Sequence, residues 1–86
     1  MNYKVFLERK AEKQLENTPG PDRFRIREKL ILFKNAGFSP QLDIRKLKGH
    51  RNYYRLRAGP YRVLLELRDG FVIVVFAILP REKAYS

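Results

Sequence analysis

The chain contains no cysteine, and that absence removes two classes of protein at once. Disulfide scaffolds need paired cysteines, and thiolate metal centres need clustered ones. A single histidine, His50, leaves no multi-histidine site either, so neither a metal nor another cofactor is expected. Long apolar runs are missing as well. The longest, Phe71 to Leu79, falls well short of the ~20 residues that a membrane-spanning helix requires. Charged residues interrupt the N-terminus from Lys4 onward, unlike a secretory leader, and the expectation is a cytoplasmic protein with no membrane association. Acidic residues are scarce: nine Asp and Glu face nineteen Lys and Arg, a net charge of +10. A compact domain with that surplus repels itself and usually answers an anionic partner. A solvated basic surface has the same composition, so the placement of the charges must decide.

What is present is a folding sequence. Of 86 residues, 44% are hydrophobic, with six Phe and five Tyr, enough for one domain over residues 1–86 with one modest core. Asn2 to Leu7 alternates, Tyr3, Val5 and Leu7 on one side and Lys4 and Phe6 on the other, which predicts a strand. Glu8 to Asn17 lacks Gly and Pro and sets Ala11 and Leu15 at helical spacing. Thr18-Pro-Gly-Pro21 stops this first helix, and Asp22 is placed to cap or open a second over Phe24 to Ala36, with Gly37 beyond its end. Strands are predicted over Gln41 to Leu47, Tyr53 to Ala58, Tyr61 to Arg68 and Phe71 to Leu79. Gly59-Pro60 and Asp69-Gly70 form the tight turns. The order β-α-α-β-β-β-β predicts a two-layer α+β domain, an antiparallel meander covered on one face by an αα-hairpin.

Turn length sets register, and register sets faces. With two-residue loops at both turns, Arg57 opposes Arg62, Tyr53 opposes Glu66, and Arg68 opposes Phe71. One face then carries Tyr54, Leu56, Ala58, Tyr61, Val63, Leu65, Leu67, Val72, Val74, Phe76 and Ile78, and the helices cover it. The other carries Tyr53, Arg55, Arg57, Arg62, Leu64 and Glu66, beside an apolar strip of Ile73, Val75, Ala77 and Leu79. Directly opposed like charges destabilise a sheet, so Arg57 against Arg62 needs a reason. Guanidinium forks match phosphate oxygens, and an aromatic such as Tyr53 among them suits nucleic acid. Beyond Pro80, Arg81 continues the parity of Arg62, followed by Lys83 and Tyr85.

The blocks KLKG (46–49), YYRLRAGPYRVLLEL (53–67) and PREKAY (80–85), at these intervals, resemble the RelE/ParE superfamily of toxin–antitoxin toxins, and Arg81 with Tyr85 resembles the RelE branch. The resemblance implies a toxin held by a RelB-like antitoxin that, when released, enters the ribosomal A site and cuts mRNA without metal. Its catalytic residues would correspond to Arg57, Arg62, Arg81 and Tyr85. RNA contacts would fall to Arg55, Lys46, Lys48, Tyr53 and Lys83. Some members carry lysine where Arg55 and Arg57 stand. The alternatives are a ParE-type poison of DNA gyrase, which shares the arginine hairpin, and a non-toxic basic RNA-binding module.

RNA cleavage by the 2′-hydroxyl passes through a dianionic, phosphorane-like transition state. Preorganised guanidiniums would stabilise it, with Arg55 gripping backbone phosphate. Arginine is not a base in proteins. The resemblance implies Tyr85 as the proton acceptor, its phenolate favoured by nearby guanidiniums, with stacking on a base as its alternative role. His50 and Glu66 are the other candidates, His50 read chiefly as a loop residue and Glu66 as an arginine or Tyr53 partner.

Overall fold

A computed structural model describes residues 2–81; Lys83 and Tyr85 therefore lie outside the described residues. The elements follow the expected order: β1 (Lys4–Leu7), α1 (Arg9–Glu16), α2 (Gly20–Ala36), β2 (Ile44–Lys46), β3 (Tyr53–Ala58), β4 (Tyr61–Arg68) and β5 (Val72–Pro80). They build one five-stranded sheet in the order β1-β5-β4-β3-β2. The last four strands form the antiparallel meander, and β1 lies parallel to β5 at the far edge. The sheet is thus mixed.

The second helix begins at Gly20, earlier than the sequence reading placed it. Pro21 opens it because a proline in the first turn has the right φ, and its missing N–H would have had no helical partner. Asp22 is not the cap. It sits in the first turn and accepts a hydrogen bond from Arg25 Nη1 at 2.8 Å. Gly37 ends the helix at φ 68°, and a Cβ there would lie 2.6 Å from the Tyr3 ring. The strand predicted over Gln41 to Leu47 shrinks to Ile44–Lys46; a turn at Ser39–Leu42 takes the earlier residues, with Leu42 N–H bonded to Ser39 O at 3.0 Å.

Ala11, Leu15, Ile26, Leu30 and Phe33 of the helices close over Leu56, Ala58, Val63, Leu65, Ile73, Val75 and Ile78 of the sheet. Removing a buried Leu, Ile or Phe side chain from such a core typically costs about 2–5 kcal/mol. Tyr3, Phe33, Phe38 and Tyr54 extend it through edge-to-face ring contacts of 5.0–6.1 Å.

The faces of β5 correct the expected register. Asp69 and Gly70 both take positive φ, 52° and 80°, as a hairpin turn of this type requires. Phe71 nevertheless stays out of the β4 ladder, because its carbonyl accepts from Lys4 N–H of β1 at 3.0 Å, and Arg68 pairs with Val72. This one-residue slip turns Ile73 and Val75 into the core, and Val72, Val74 and Phe76 outward. A β-bulge then inserts Phe76 between the pairs Leu65–Val75 and Leu64–Ala77. The bulge shifts the pairing by one more residue, so Arg62 opposes Leu79, not Ala77, but the alternation of faces returns to phase: Ala77 and Leu79 lie on the open face as expected and Ile78 points inward.

Strand β1 ends at Leu7, leaving the last residues of β5 with a bare edge. Helix α1 covers it: Gln14 Oε1 accepts a hydrogen bond from Ile78 N–H at 2.7 Å, and Thr18 Oγ1 donates to Gln14 O at 2.8 Å. A Gln14→Leu variant keeps the volume but leaves Ile78 N–H without its acceptor in a partly buried place. It should lose about 1–3 kcal/mol of stability in urea titration.

Candidate functional site

The Gly59-Pro60 turn spans the hairpin of β3 and β4 as expected, with Ala58 opposite Tyr61, Leu56 opposite Val63 and Arg57 opposite Arg62. Gly59 takes φ 60°, in the left-handed region. With Leu56, Ala58, Val63 and Leu65 fully buried under the helices, strict alternation sends Arg55, Arg57 and Arg62 to the open side. Two further connections add to them. Arg81 N–H donates to Pro60 O at 2.8 Å, which ties the end of β5 to the hairpin turn. At the other edge, β2 pairs with β3 so that Arg45 opposes Arg55, and Arg57 N–H donates to Asp43 O at 2.9 Å.

The result is a pocket of about 230 Å³ lined by Asp43, Arg45, Arg55, Arg57, Arg62 and Arg81. Five guanidiniums share it with one carboxylate. Asp43 approaches Arg45 at 3.9 Å, a loose and exposed pair. Arg62 is 4% exposed, and its Nη1 donates to the Tyr61 carbonyl at a long 3.4 Å. A guanidinium at the buried wall of a pocket acts through less water than one on the rim, which strengthens its pull on an anion.

The structure thus brings together Arg55, Arg57, Arg62 and Arg81 of the sequence-predicted residues. Lys46 and Lys48 do not join them. Lys46 opposes Tyr54 and so has the opposite parity from Arg45, and Lys48 is exposed in the turn after β2. Arg45 and Asp43 were missed. The signal that finds them is the β2–β3 register, which the expected strand over Gln41 to Leu47 left unassigned. Tyr53 lies on the same face as the pocket but stacks on His50, with ring centroids 4.8 Å apart. Glu66 opposes Tyr53 and pairs with Arg68 at 2.8 Å. Among the described residues, no three His, Cys, Asp or Glu side chains converge as a metal site.

Comparison with known proteins gives a consistent picture. The family model of the ParE toxin of the type II toxin–antitoxin system parDE matches residues 5–85. Toxin RelE3 of Methanocaldococcus jannaschii is 38% identical over 87 residues, covering 96% of each chain. The fold is similar to that in a RelB–RelE antitoxin–toxin complex from Methanococcus jannaschii. There the TM-score is 0.82 at 33% identity, over 94% of this chain and 95% of the other. It is also similar to that in an archaeal RelE–RelB complex from Pyrococcus horikoshii, with a TM-score of 0.81 at 26% identity over 96% and 99% of the two chains. The family model carries the ParE description, while these relatives carry the RelE one; both belong to one superfamily.

Five arginines to one carboxylate crowd like charge around the pocket. Two guanidiniums about 7 Å apart repel by roughly 0.6–1.2 kcal/mol at an effective dielectric of about 40–80. An Arg57→Gln variant should therefore unfold at higher urea than the wild type at low ionic strength, a gain of about that size. In about 1 M salt, where the screening length is ~3 Å, the gain should vanish.

Proposed function

This chain belongs to the RelE/ParE superfamily of type II toxin–antitoxin toxins, and on that footing we propose that it is a ribosome-dependent endoribonuclease that cuts mRNA in the A site. The observation that carries the reading is the arginine pocket, five guanidiniums from three strands and the C-terminal end of the sheet around one cavity. A single phosphate and its bridging oxygens suit such a cavity, because guanidiniums donate in planar forks that match phosphate geometry.

The reaction starts with the RNA's own nucleophile. The 2′-hydroxyl attacks the adjacent phosphorus, the P–O5′ bond breaks, and the leaving 5′-oxygen takes a proton from water, so that a 2′,3′-cyclic phosphate and a 5′-hydroxyl remain. Negative charge on the non-bridging oxygens rises towards the transition state. Arg57, Arg62 and Arg81 meet that charge with donors already in place, so little reorganisation is needed as it develops. Arg62 is the central one, held at the buried wall, while Arg55 and Arg45 grip flanking phosphate. Tyr85 takes the proton from the 2′-hydroxyl. The ribosome holds the message bent at the A site and supplies the in-line alignment that a small, shallow pocket lacks.

A RelB-like antitoxin is the proposed partner that keeps the toxin inactive, in keeping with the complexes in which the two archaeal RelE relatives were solved. The ParE description of the matching family model favours a second reading, a gyrase poison without nuclease chemistry, in which the same arginines bind protein.

Primer extension on ribosome-engaged mRNA separates the two. Wild-type protein should leave discrete cuts in the A-site codon. Arg62→Ala and Arg57→Ala should each reduce the cleavage rate about 10²–10³-fold, the usual cost of losing a preorganised donor to the transition state. Arg57 is exposed, so its variant keeps the test valid if loss of the buried Arg62 perturbs folding. Tyr85→Phe should lower the rate without weakening RNA binding. Uncut message in arrested cells sinks the nuclease and leaves the gyrase reading.

A further inference from the structure

Away from the arginine pocket, on the same open face, stands a group of rings that charge does not explain. His50 and Tyr53 stack nearly parallel, 4.8 Å between centroids and 9° between planes, and Tyr53 meets Phe76 at 4.9 Å and 43°. None of the three belongs to the core, although Tyr54 and Val75, their immediate neighbours in sequence, pack in it or against it. Phe76 is the bulged residue of β5, opposite no residue of β4, and turns to Tyr53 instead. Bulges commonly re-aim a side chain beside a working site. His50 is exposed in the loop before β3, so one ring face rests on Tyr53 and the other meets solvent.

We propose that His50, Tyr53 and Phe76 form a nucleobase-stacking site, which takes a base of the same single-stranded RNA whose phosphate fills the arginine pocket. This rests on the nuclease reading and adds to it a second point of attachment. An open aromatic face accepts any base, since every base has a π-face of its own. The setting is right for a polyanion. From Ile44 to Leu65 the chain has no acid and seven Lys or Arg, with Lys48 and Arg51 flanking His50. The carboxylate opposite Tyr53, Glu66, is already held by Arg68 at 2.8 Å. The spacing also fits. Tyr53 and Arg57 are four residues apart on one strand, about 13 Å at ~3.3 Å per residue. A stacked strand covers that in about four nucleotides at 3.4 Å each, and a stretched one in fewer. A wrapping protein segment is the competing occupant, but flat open rings between unpaired-base reach and a basic loop favour RNA.

The test is binding, read apart from cleavage. A short single-stranded oligoribonucleotide, 2′-O-methylated to block attack, is titrated by fluorescence anisotropy against wild type, His50→Ala, Tyr53→Leu and Tyr53→Phe. An abasic oligonucleotide of the same length serves as the comparison. Wild type should prefer the base-bearing strand by about tenfold, the range expected for one stacked base. His50→Ala and Tyr53→Leu should lose that preference while their affinity for the abasic strand and its salt slope stay unchanged, and Tyr53→Phe should keep it. Equal affinity of wild type for both strands overturns the stacking site and leaves the nuclease reading standing, with the rings then free for protein. Failure of wild type to bind either strand at low salt would overturn both.

Discussion

The two-residue turn at Gly59-Pro60 is the constraint on which this molecule rests. It pins β3 against β4 with Leu56 opposite Val63, and since both are completely buried, the pair cannot slip by one residue without driving a row of apolar side chains into water. At roughly 1.5–3 kcal/mol for each large apolar side chain exposed, that slip is out of reach for a domain of this size. The arginines gain their positions from it. Arg57 and Arg62 face each other because the core residues beside them must face inward, and the attraction of the core outweighs the repulsion of the pair by several-fold. The charge cluster is paid for by the hydrophobic layer on the other side of the same two strands.

Around this hairpin main-chain hydrogen bonds bring in the rest of the pocket. Arg81 arrives because its N–H reaches Pro60, and Asp43 and Arg45 because β2 adds to the free edge of β3. Backbone ladders fix where these side chains leave the main chain. Ion pairs at 2.8 Å occur elsewhere, at Asp22–Arg25 and Glu66–Arg68, in each case outside the pocket.

Much of this was legible in the sequence, for reasons that particular residues make clear. Alternation from Tyr53 to Arg68, once Gly59-Pro60 is taken as a two-residue turn, yields the register, the faces and the Arg57–Arg62 opposition that the structure has. Arg81 could be placed because its parity follows from Pro80. The misreadings arose where a distant partner competes with local geometry. Phe71 looks like the first residue of its strand, but its carbonyl is taken by Lys4, nearly seventy residues away in the chain. The bulge at Phe76 leaves no local mark, since Val-Val-Phe-Ala is ordinary strand sequence. Lys46 was named from the resemblance carried by KLKG, and Arg45 was passed over because the strand expected over Gln41 to Leu47 had no assigned register against β3. The expected apolar strip of Ile73 and Val75 went wrong with the register, while Ala77 and Leu79 came out right once the bulge had restored it.

That restoration has a hereditary consequence. The extra residue at the Asp69-Gly70 turn and the extra residue at Phe76 add up to two positions of register, which brings the alternation of faces back into phase. Deleting Phe76 alone would close the bulge, with Leu65–Val75 and Leu64–Ala77 still paired and the rest of β5 facing as it does now. Deleting Phe71 alone would leave Arg68 opposite Val72 across a two-residue loop, again with no change of face. Gaps at the turn and at the bulge should therefore descend independently of each other, since both residues lie outside the ladder that sets the faces.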